Sequence, residues 1–472
     1  MPEPSTLPGT KADGQTTPGV GNQLTGFPAR EAALSADSVA RGLPTPVRAL
    51  FGNSAHDYRD LWERETQTLP RELAKLRRRA RDFAKAELAP RALEVDSLEH
   101  WPVGTQPKTL DELLVTAGKA GWLSDLLPKP IGSSNPLLAH QPLTMTASLK
   151  VEEFARVCGG QMLLLSATML GQVPLLLSAN PSIIRRRLVP GLRSNLRGDP
   201  YLFGFAITEP HAGSDVEDGH GASRIKPGVT AKQVKGGWLL NGRKVFISGG
   251  DLARGFTLFA ALEGEGFESW TCFFLERGTP GFRPTRTELK MGMRASGAAE
   301  LELVDVFVPD NDVVGKLRGG WSLNRQTLNL SRIPVGSMAV GFAQAACDIA
   351  IDYARKTQFA GLPLIHQQNV QLALADALTT TSMIRAQVWR AAAQWRIRQS
   401  TGAMVKFGAS DAAMRVIEQC MDLLGPNALL FENRLEKVWR DCRLTQIFEG
   451  TNQINRLAVI EDLQHQFLGR PG

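Results

Sequence analysis

Paired cysteines, ligand-spaced histidines and an acidic surplus are all missing from this chain. Its 472 residues include five cysteines, Cys158, Cys272, Cys347, Cys420 and Cys442, none in a Cys-x-x-Cys spacing. An odd, unpaired set argues against a disulfide framework or a zinc site and suits a reducing compartment, so a cytoplasmic protein is expected. Seven histidines are scattered without ligand spacing, and no metal is expected. No apolar run approaches the roughly 20 residues of a bilayer span, so no membrane role is expected. The N-terminus has no apolar core behind a basic start, and Glu3, Asp13, Glu31 and Asp37 offset its basic residues. Neither a secretory signal nor a mitochondrial presequence reads that way. Internal repeats are absent too.

What is present is a long, well-mixed chain with a net charge of +7. A basic balance suits phosphate-bearing partners, but here it is diluted over the whole length and reads first as solubility. The densest basic run, Arg77-Arg78-Arg79-Ala80-Arg81, falls on a helix whose Leu73, Leu76 and Phe83 face the other way. A solvated face is expected there rather than a nucleic-acid patch.

Hydrophobic periodicity divides the chain. Residues 1–54 are rich in Pro, Gly, Thr and Ser and read as a flexible extension. From 55 to 200 the period is helical, with helices expected over Arg71–Leu93, Leu110–Leu127, Leu149–Ala155 and Gln161–Leu177. From 201 to 316 it becomes two: Tyr201–Thr208, Phe256–Leu262, Trp270–Glu276 and Leu301–Val308 read as strands, and Asn241-Gly242 as the turn of a hairpin. From 317 to 472 long helices return, over Ile333–Lys356, His366–Ser400 and Met404–Leu424, with breaks at Gly361-Leu362-Pro363, Gly402 and Gly425-Pro426. The expected class is α+β: an N-terminal helical domain, a middle β-barrel or sandwich, and a C-terminal four-helix bundle.

Chemistry concentrates in Ile447-Phe448-Glu449-Gly450-Thr451-Asn452-Gln453. One carboxylate sits between an apolar pair and a glycine, and Ile454, Leu457 and Ala458 come next at helical spacing. Thr451 can cap that helix. An acid held in a tight turn against apolar side chains loses water, rises in pKa and becomes a stronger base. The segment Arg440-Asp441-x-x-x-x-x-Ile-Phe-Glu-Gly-Thr-x-Gln-Ile-x-Arg456 closely resembles the C-terminal signature of the acyl-CoA dehydrogenase family. Phe205-Ala-Ile-Thr-Glu-Pro-His-Ala-Gly-Ser-Asp215 resembles a second motif of that family, in the family's order.

The resemblance covers roughly residues 60–465 and implies an oxidoreductase of fatty-acid metabolism that uses FAD. It implies that Glu449 removes the α-proton of an acyl-CoA thioester while the flavin takes a hydride from the β-carbon. The flavin ring would lie along Phe205, Ile207, Thr208 and Ser214, beside Phe246 and Ser248. Thr451 and Gln453 would reach the FAD diphosphate and adenosine, the loop at Gly425 would act from a neighbouring subunit, and Gln368 keeps the family's cofactor-binding glutamine. Ser214, Arg332 and Gly450 would meet the substrate. Some family members carry their base just before the arginine matching Arg332; that position is Ser331 here. Electrons would pass to an electron-transferring flavoprotein, and the assembly would be a homodimer or homotetramer. Departures cluster at the phosphate end. Thr357 stands where the family has an arginine, Asp422 where it has a glutamine, and Pro426 removes an N–H from the glycine loop. Weaker or differently arranged FAD binding is the expected consequence. Two other readings stand beside the dehydrogenase: a flavin monooxygenase on the same fold, for which Glu449 has no evident use, and a non-catalytic relative that binds acyl-CoA or nucleic acid, with nucleic acid disfavoured.

Overall fold

The computed structural model describes residues 61–98, 101–217 and 222–467. The extension expected over 1–54 lies outside the described residues. The chain divides into two compact units, Met1–Thr68 and Leu69–Gly472. The described part of the first is one helix, Leu61–Gln67, in which the Thr66 hydroxyl donates to the Trp62 carbonyl at 2.7 Å.

The second unit opens with helix α1 (Arg71–Phe83), which runs on through a π turn (Ala84–Leu88) and a 3-10 turn carrying Pro90 to a short helix ending at Ser97. Leu73, Ala80 and Ala84 place its apolar stripe in the core. The basic run is not a solvated face throughout. Arg77 is fully buried, donating from Nε to Glu153 at 2.8 Å and from Nη2 to Glu152 at 2.9 Å, both on α3 (Leu143–Ala155). Arg77 falls four residues after Leu73 and three before Ala80, on the inward stripe, and its two carboxylates, with the Trp389 ring 4.8 Å from its guanidinium carbon, make that position tenable.

Helix α2 (Lys108–Lys119) stops short of the expected Leu127 because Gly121, at φ +87°, turns the chain left-handed. Helix α4 (Gly159–Leu177) has 19 residues without a charge. It and α5 (Gly320–Lys356) are long and apolar enough to pass for membrane spans, contrary to the expectation that no such run exists. Most of each is buried within the protein, so their apolar character is accounted for by core packing.

The strands are β1 (Phe203–Ala206), β2 (Thr230–Val234), β3 (Gly237–Ser248), β4 (Gly255–Leu262), β5 (Thr271–Glu276), β6 (Phe282–Thr287), β7 (Ala298–Pro309) and β8 (Val313–Val314). They form one sheet in the order β6-β7-β3-β2-β4-β5-β8, with β1 alongside β4. The hairpin expected at Asn241-Gly242 does not exist. β3 runs straight through it, and the β2–β3 turn comes earlier, between Val234 and Gly237. Asn241-Gly242 instead marks a bulge against β7. There Asn241 exchanges hydrogen bonds with Asp305, and a Cβ on Gly242 would lie 2.2 Å from the Gly228 carbonyl oxygen. A glycine at positive φ, here Gly242 at +133°, serves a bulge as well as a turn, and the Asn-Gly sequence does not tell them apart.

The C-terminal bundle consists of α5, α6 (Gln368–Ala392), α7 (Gln399–Leu424) and α9 (Asn452–Phe467), with the shorter α8 (Leu435–Leu444) before the last. Helix α5 begins thirteen residues before Ile333 and continues through Pro334. The break placed at Gly402 is also wrong: Gly402 lies inside α7, and the interruption falls at 393–398. Gly402 lets α7 approach α5, where a Cβ would meet the Asn329 carbonyl at 3.1 Å. Asp441 anchors α8. Buried, it accepts from the Gly159 N–H at 3.2 Å, the Met293 N–H at 2.5 Å and Lys437 Nζ at 2.5 Å. It therefore ties α8 to α4 and to the segment before β7, and aims residues 445–451 into the space between them.

Candidate active site

A cleft of about 510 Å³ opens between the sheet, α3, α4, α5 and the 444–451 segment. Its lining is chiefly apolar, with Leu170 and Val173 from α4 and Val335 and Met338 from α5 among the wall residues. Of the residues singled out from sequence, Phe205, Ile207, Thr208, Ser214, Phe246, Ser248, Glu449, Gly450 and Thr451 all line it. Gln368, Gly425, Gln453 and Arg332 do not. Gln368 opens α6 and Gly425 closes α7, both exposed, while Gln453 is exposed in the first turn of α9.

The turn that carries Glu449 is left-handed twice over, with φ +58° at Glu449 and +81° at Gly450. Only glycine suits position 450: a Cβ there would stand 2.9 Å from Ile454 Cγ2 and 3.0 Å from Glu217 Oε2. A left-handed glutamate is strained and must be held by its surroundings. Arg332 Nε donates to the Glu449 carbonyl at 3.2 Å, and Lys406 Nζ donates to the Gly450 carbonyl at 2.6 Å. Asn455 Nδ2 also reaches the Gly450 carbonyl, at 2.8 Å. The carboxyl lies on the cleft wall, where Ser331 Oγ donates to its Oε2 at 2.6 Å.

Charge beneath this turn is buried and unevenly compensated. Loss of water pushes the Glu449 carboxyl up to about 7. The Ser331 hydroxyl, Arg332 and Lys406 pull it back, and the neighbouring Glu217 pushes it further up. Burial likewise raises Glu217, which pairs with Arg332 at 2.5 Å, and lowers Lys406 to about 7. A carboxyl poised near neutrality in a mostly apolar cleft has the character of a general base.

Facing this turn, the loop after β1 is held by a second buried pair. Lys244 Nζ donates to the Ile207 carbonyl and to Glu209 Oε1, both at 2.8 Å, and Glu209 Oε2 accepts from the Gly228 N–H at 2.6 Å. The Thr451 N–H donates to Ser214 Oγ at 3.0 Å, joining the two sequence motifs directly. Across the cleft, Phe246 sits in a second irregularity of β3, between Lys244 and Ile247, at φ +58° with 61% of its surface exposed. A left-handed, outward-facing phenylalanine at a cleft edge, with Ser248 and Thr208 beside it, fits a flat aromatic ligand.

Glu217 and Lys406 were not identified from the sequence. Lys406 did leave a signal: it falls on the stripe of Ala403, Ala409, Ser410 and Ala413, so a charge sits where the helix faces inward. Glu217 left none, since a carboxylate at the end of a loop is ordinary.

Three family models match in series: the acyl-CoA dehydrogenase N-terminal domain over residues 70–195, the middle domain over 204–306 and the C-terminal domain over 318–464. The chain belongs to the acyl-CoA dehydrogenase family. It is 33% identical over 386 residues to a cyclohex-1-ene-1-carbonyl-CoA dehydrogenase of Geobacter metallireducens, covering 80% of this chain and 94% of that one. The structure resembles butyryl-CoA dehydrogenase from Megasphaera elsdenii with a TM-score of 0.74 and 28% identity, over 84% of this chain and 98% of that one. It matches equally well, at 0.74 and 29% identity over 84% and 98%, a chain solved in work on the electron transferring flavoprotein of Acidaminococcus fermentans. The fold is the family's: helical N- and C-terminal regions around a central sheet.

Proposed function

We propose that this chain is an FAD-dependent acyl-CoA dehydrogenase in which Glu449 removes the α-proton of the thioester. The carrying observation is the Glu449 carboxyl itself, partly dried on the wall of an apolar cleft and poised near pH 7. Phe205, Ile207, Thr208, Ser214, Phe246 and Ser248 line the same cleft and would hold the flavin ring. Bound there, flavin supplies the acceptor for the β-hydride.

The chain's own residues supply the rest. Arg332 and Lys406 fix the two carbonyls of the Glu449-Gly450 turn, so the carboxyl is presented without reorganisation. The apolar walls exclude water and keep the base strong. The Glu449 N–H is the donor expected for the thioester oxygen as negative charge builds there. Gln368, Gly425 and Gln453, away from this cleft, fit a cofactor end shared with a second subunit, which supports a homo-oligomer. The likeness to a chain solved in work on an electron transferring flavoprotein supports such a protein as electron acceptor.

Purified protein should be yellow, and anaerobic addition of a suitable acyl-CoA should bleach it. Glu449→Gln should keep the colour and lose the bleaching. Bleaching at the wild-type rate in that variant would remove Glu449 from the role.

A further inference from the structure

We propose that Ser331 is a positioning residue for the base: its hydroxyl holds Glu449 Oε2 and leaves Oε1 as the oxygen that receives the proton. This rests on the role proposed for Glu449 and goes beyond it in naming which carboxyl oxygen acts and what holds the other.

The geometry is specific. Ser331 lies on α5 and, like Glu449, lines the cleft. Its Oγ stands 2.6 Å from Glu449 Oε2, a short, charge-assisted distance. Among the described residues nothing donates to Oε1. The two carboxyl oxygens are therefore not equivalent: one is tied to a helix and the other is left to the cleft.

A serine hydroxyl has one proton but two acceptors here. Besides Glu449 Oε2, the Leu328 carbonyl lies 3.2 Å from Oγ. One proton serves one of them at a time. While Glu449 is ionised, the shorter bond to Oε2 is the stronger. Once Oε1 has taken a proton, Oε2 is a poorer acceptor, and the hydroxyl can turn to the Leu328 carbonyl without leaving its site. The serine thus orients the base before transfer and leaves no stranded donor afterwards.

Other charged groups bear on Glu449 and must be held constant in any test. Arg332 is the next residue after Ser331 on α5, Glu217 faces it from the loop after β1, and Lys406 comes from α7. Lys290, from the segment before β7, lines the same cleft and donates to the Ser296 carbonyl. None of these is altered by changing Ser331.

The test compares Ser331→Ala and Ser331→Thr with the parent, using two independent readouts. The first is direct titration of the Glu449 carboxyl in the purified protein, by carbon NMR or infrared difference spectra, assigned with Glu449→Gln. It needs no turnover and remains informative even if no acyl-CoA is ever a substrate. The hydroxyl favours the ionised form, so its loss should move the titration upward by about one pH unit, the scale of a hydrogen bond to a charged group. Ser331→Thr should restore it. The second is the pH profile of anaerobic bleaching: Ser331→Ala should shift its midpoint by the same amount and lower the plateau rate more than it raises KM. A titration unchanged in Ser331→Ala would overturn the proposal. So would a rate loss that Ser331→Thr shares in full, since that would mark a packing role. Failure of the parent to bleach would count against the dehydrogenase reading alone.

Discussion

Two of the buried charge clusters in the second compact unit are built to opposite ends. Around Glu152, Arg77 and Arg385 both donate to Oε1 at 2.9 Å and the Trp389 indole N–H donates to Oε2 at 3.0 Å. Burial works to raise that carboxyl, but Arg385 and Arg77 overcome it and hold it below the ordinary glutamate range. Around Glu449 the same loss of water is met by one hydroxyl on one oxygen, and the carboxyl rises to about 7. A saturated carboxylate is a fixed charge that locks α1, α3 and α6 together. An under-served one can exchange a proton. The difference is the number and kind of donors rather than depth.

The comparison can be broken from either side. The largest effect is expected at the proposed base: Glu449→Gln should slow anaerobic bleaching by about 10²–10⁴-fold, the usual contribution of a positioned base. The melting temperature should barely move, since the side chain makes no direct salt bridge and an amide oxygen can still accept from Ser331. Glu152→Ala should do the reverse. It deprives Arg385 and Arg77 of a buried partner and should cost about 3–5 kcal/mol in denaturant unfolding, with bleaching per folded molecule intact.

Smaller changes sharpen the contrast by moving one pKa. Only ionised Glu449 can accept a proton, so the bleaching rate of the parent should rise as pH increases through about 7. Lys406→Met removes a cation that favours the ionised form, and the midpoint should move above that of the parent. Glu217→Gln removes a neighbouring negative charge and should move it below. Shifts of opposite sign in stopped-flow pH profiles would support the assignment; shifts of the same sign would contradict it.

The period of the apolar residues made the alternation of helices, sheet and helices legible, because burial on one face dictates it. Local backbone devices were less so. Asn241-Gly242 reads as a turn, yet the sheet uses its left-handed freedom for a bulge. Gly402 reads as a break, yet α7 spends it on contact with α5. Arg77 reads as solvated because a sequence does not reveal that Glu152 and Glu153 wait on another helix. At the site, most of the sequence-identified residues that line the cleft came from two long motifs, and Phe246 and Ser248 from a shorter segment between them. Ser331, Glu217 and Lys406 act through partners more than 40 residues away; Lys406 shows as a charge on an inward-facing stripe, but the pairings themselves have no local imprint.

The hydrogen bond from the Thr451 N–H to Ser214 Oγ spans 237 residues of chain. One side of it belongs to the sheet region and the other to the end of the bundle, so neither can build the site alone. During synthesis the loop after β1 emerges long before its counterpart, and reactivity arrives only when the C-terminal helices dock. Under the proposed function, competence is therefore a late event in the life of the molecule.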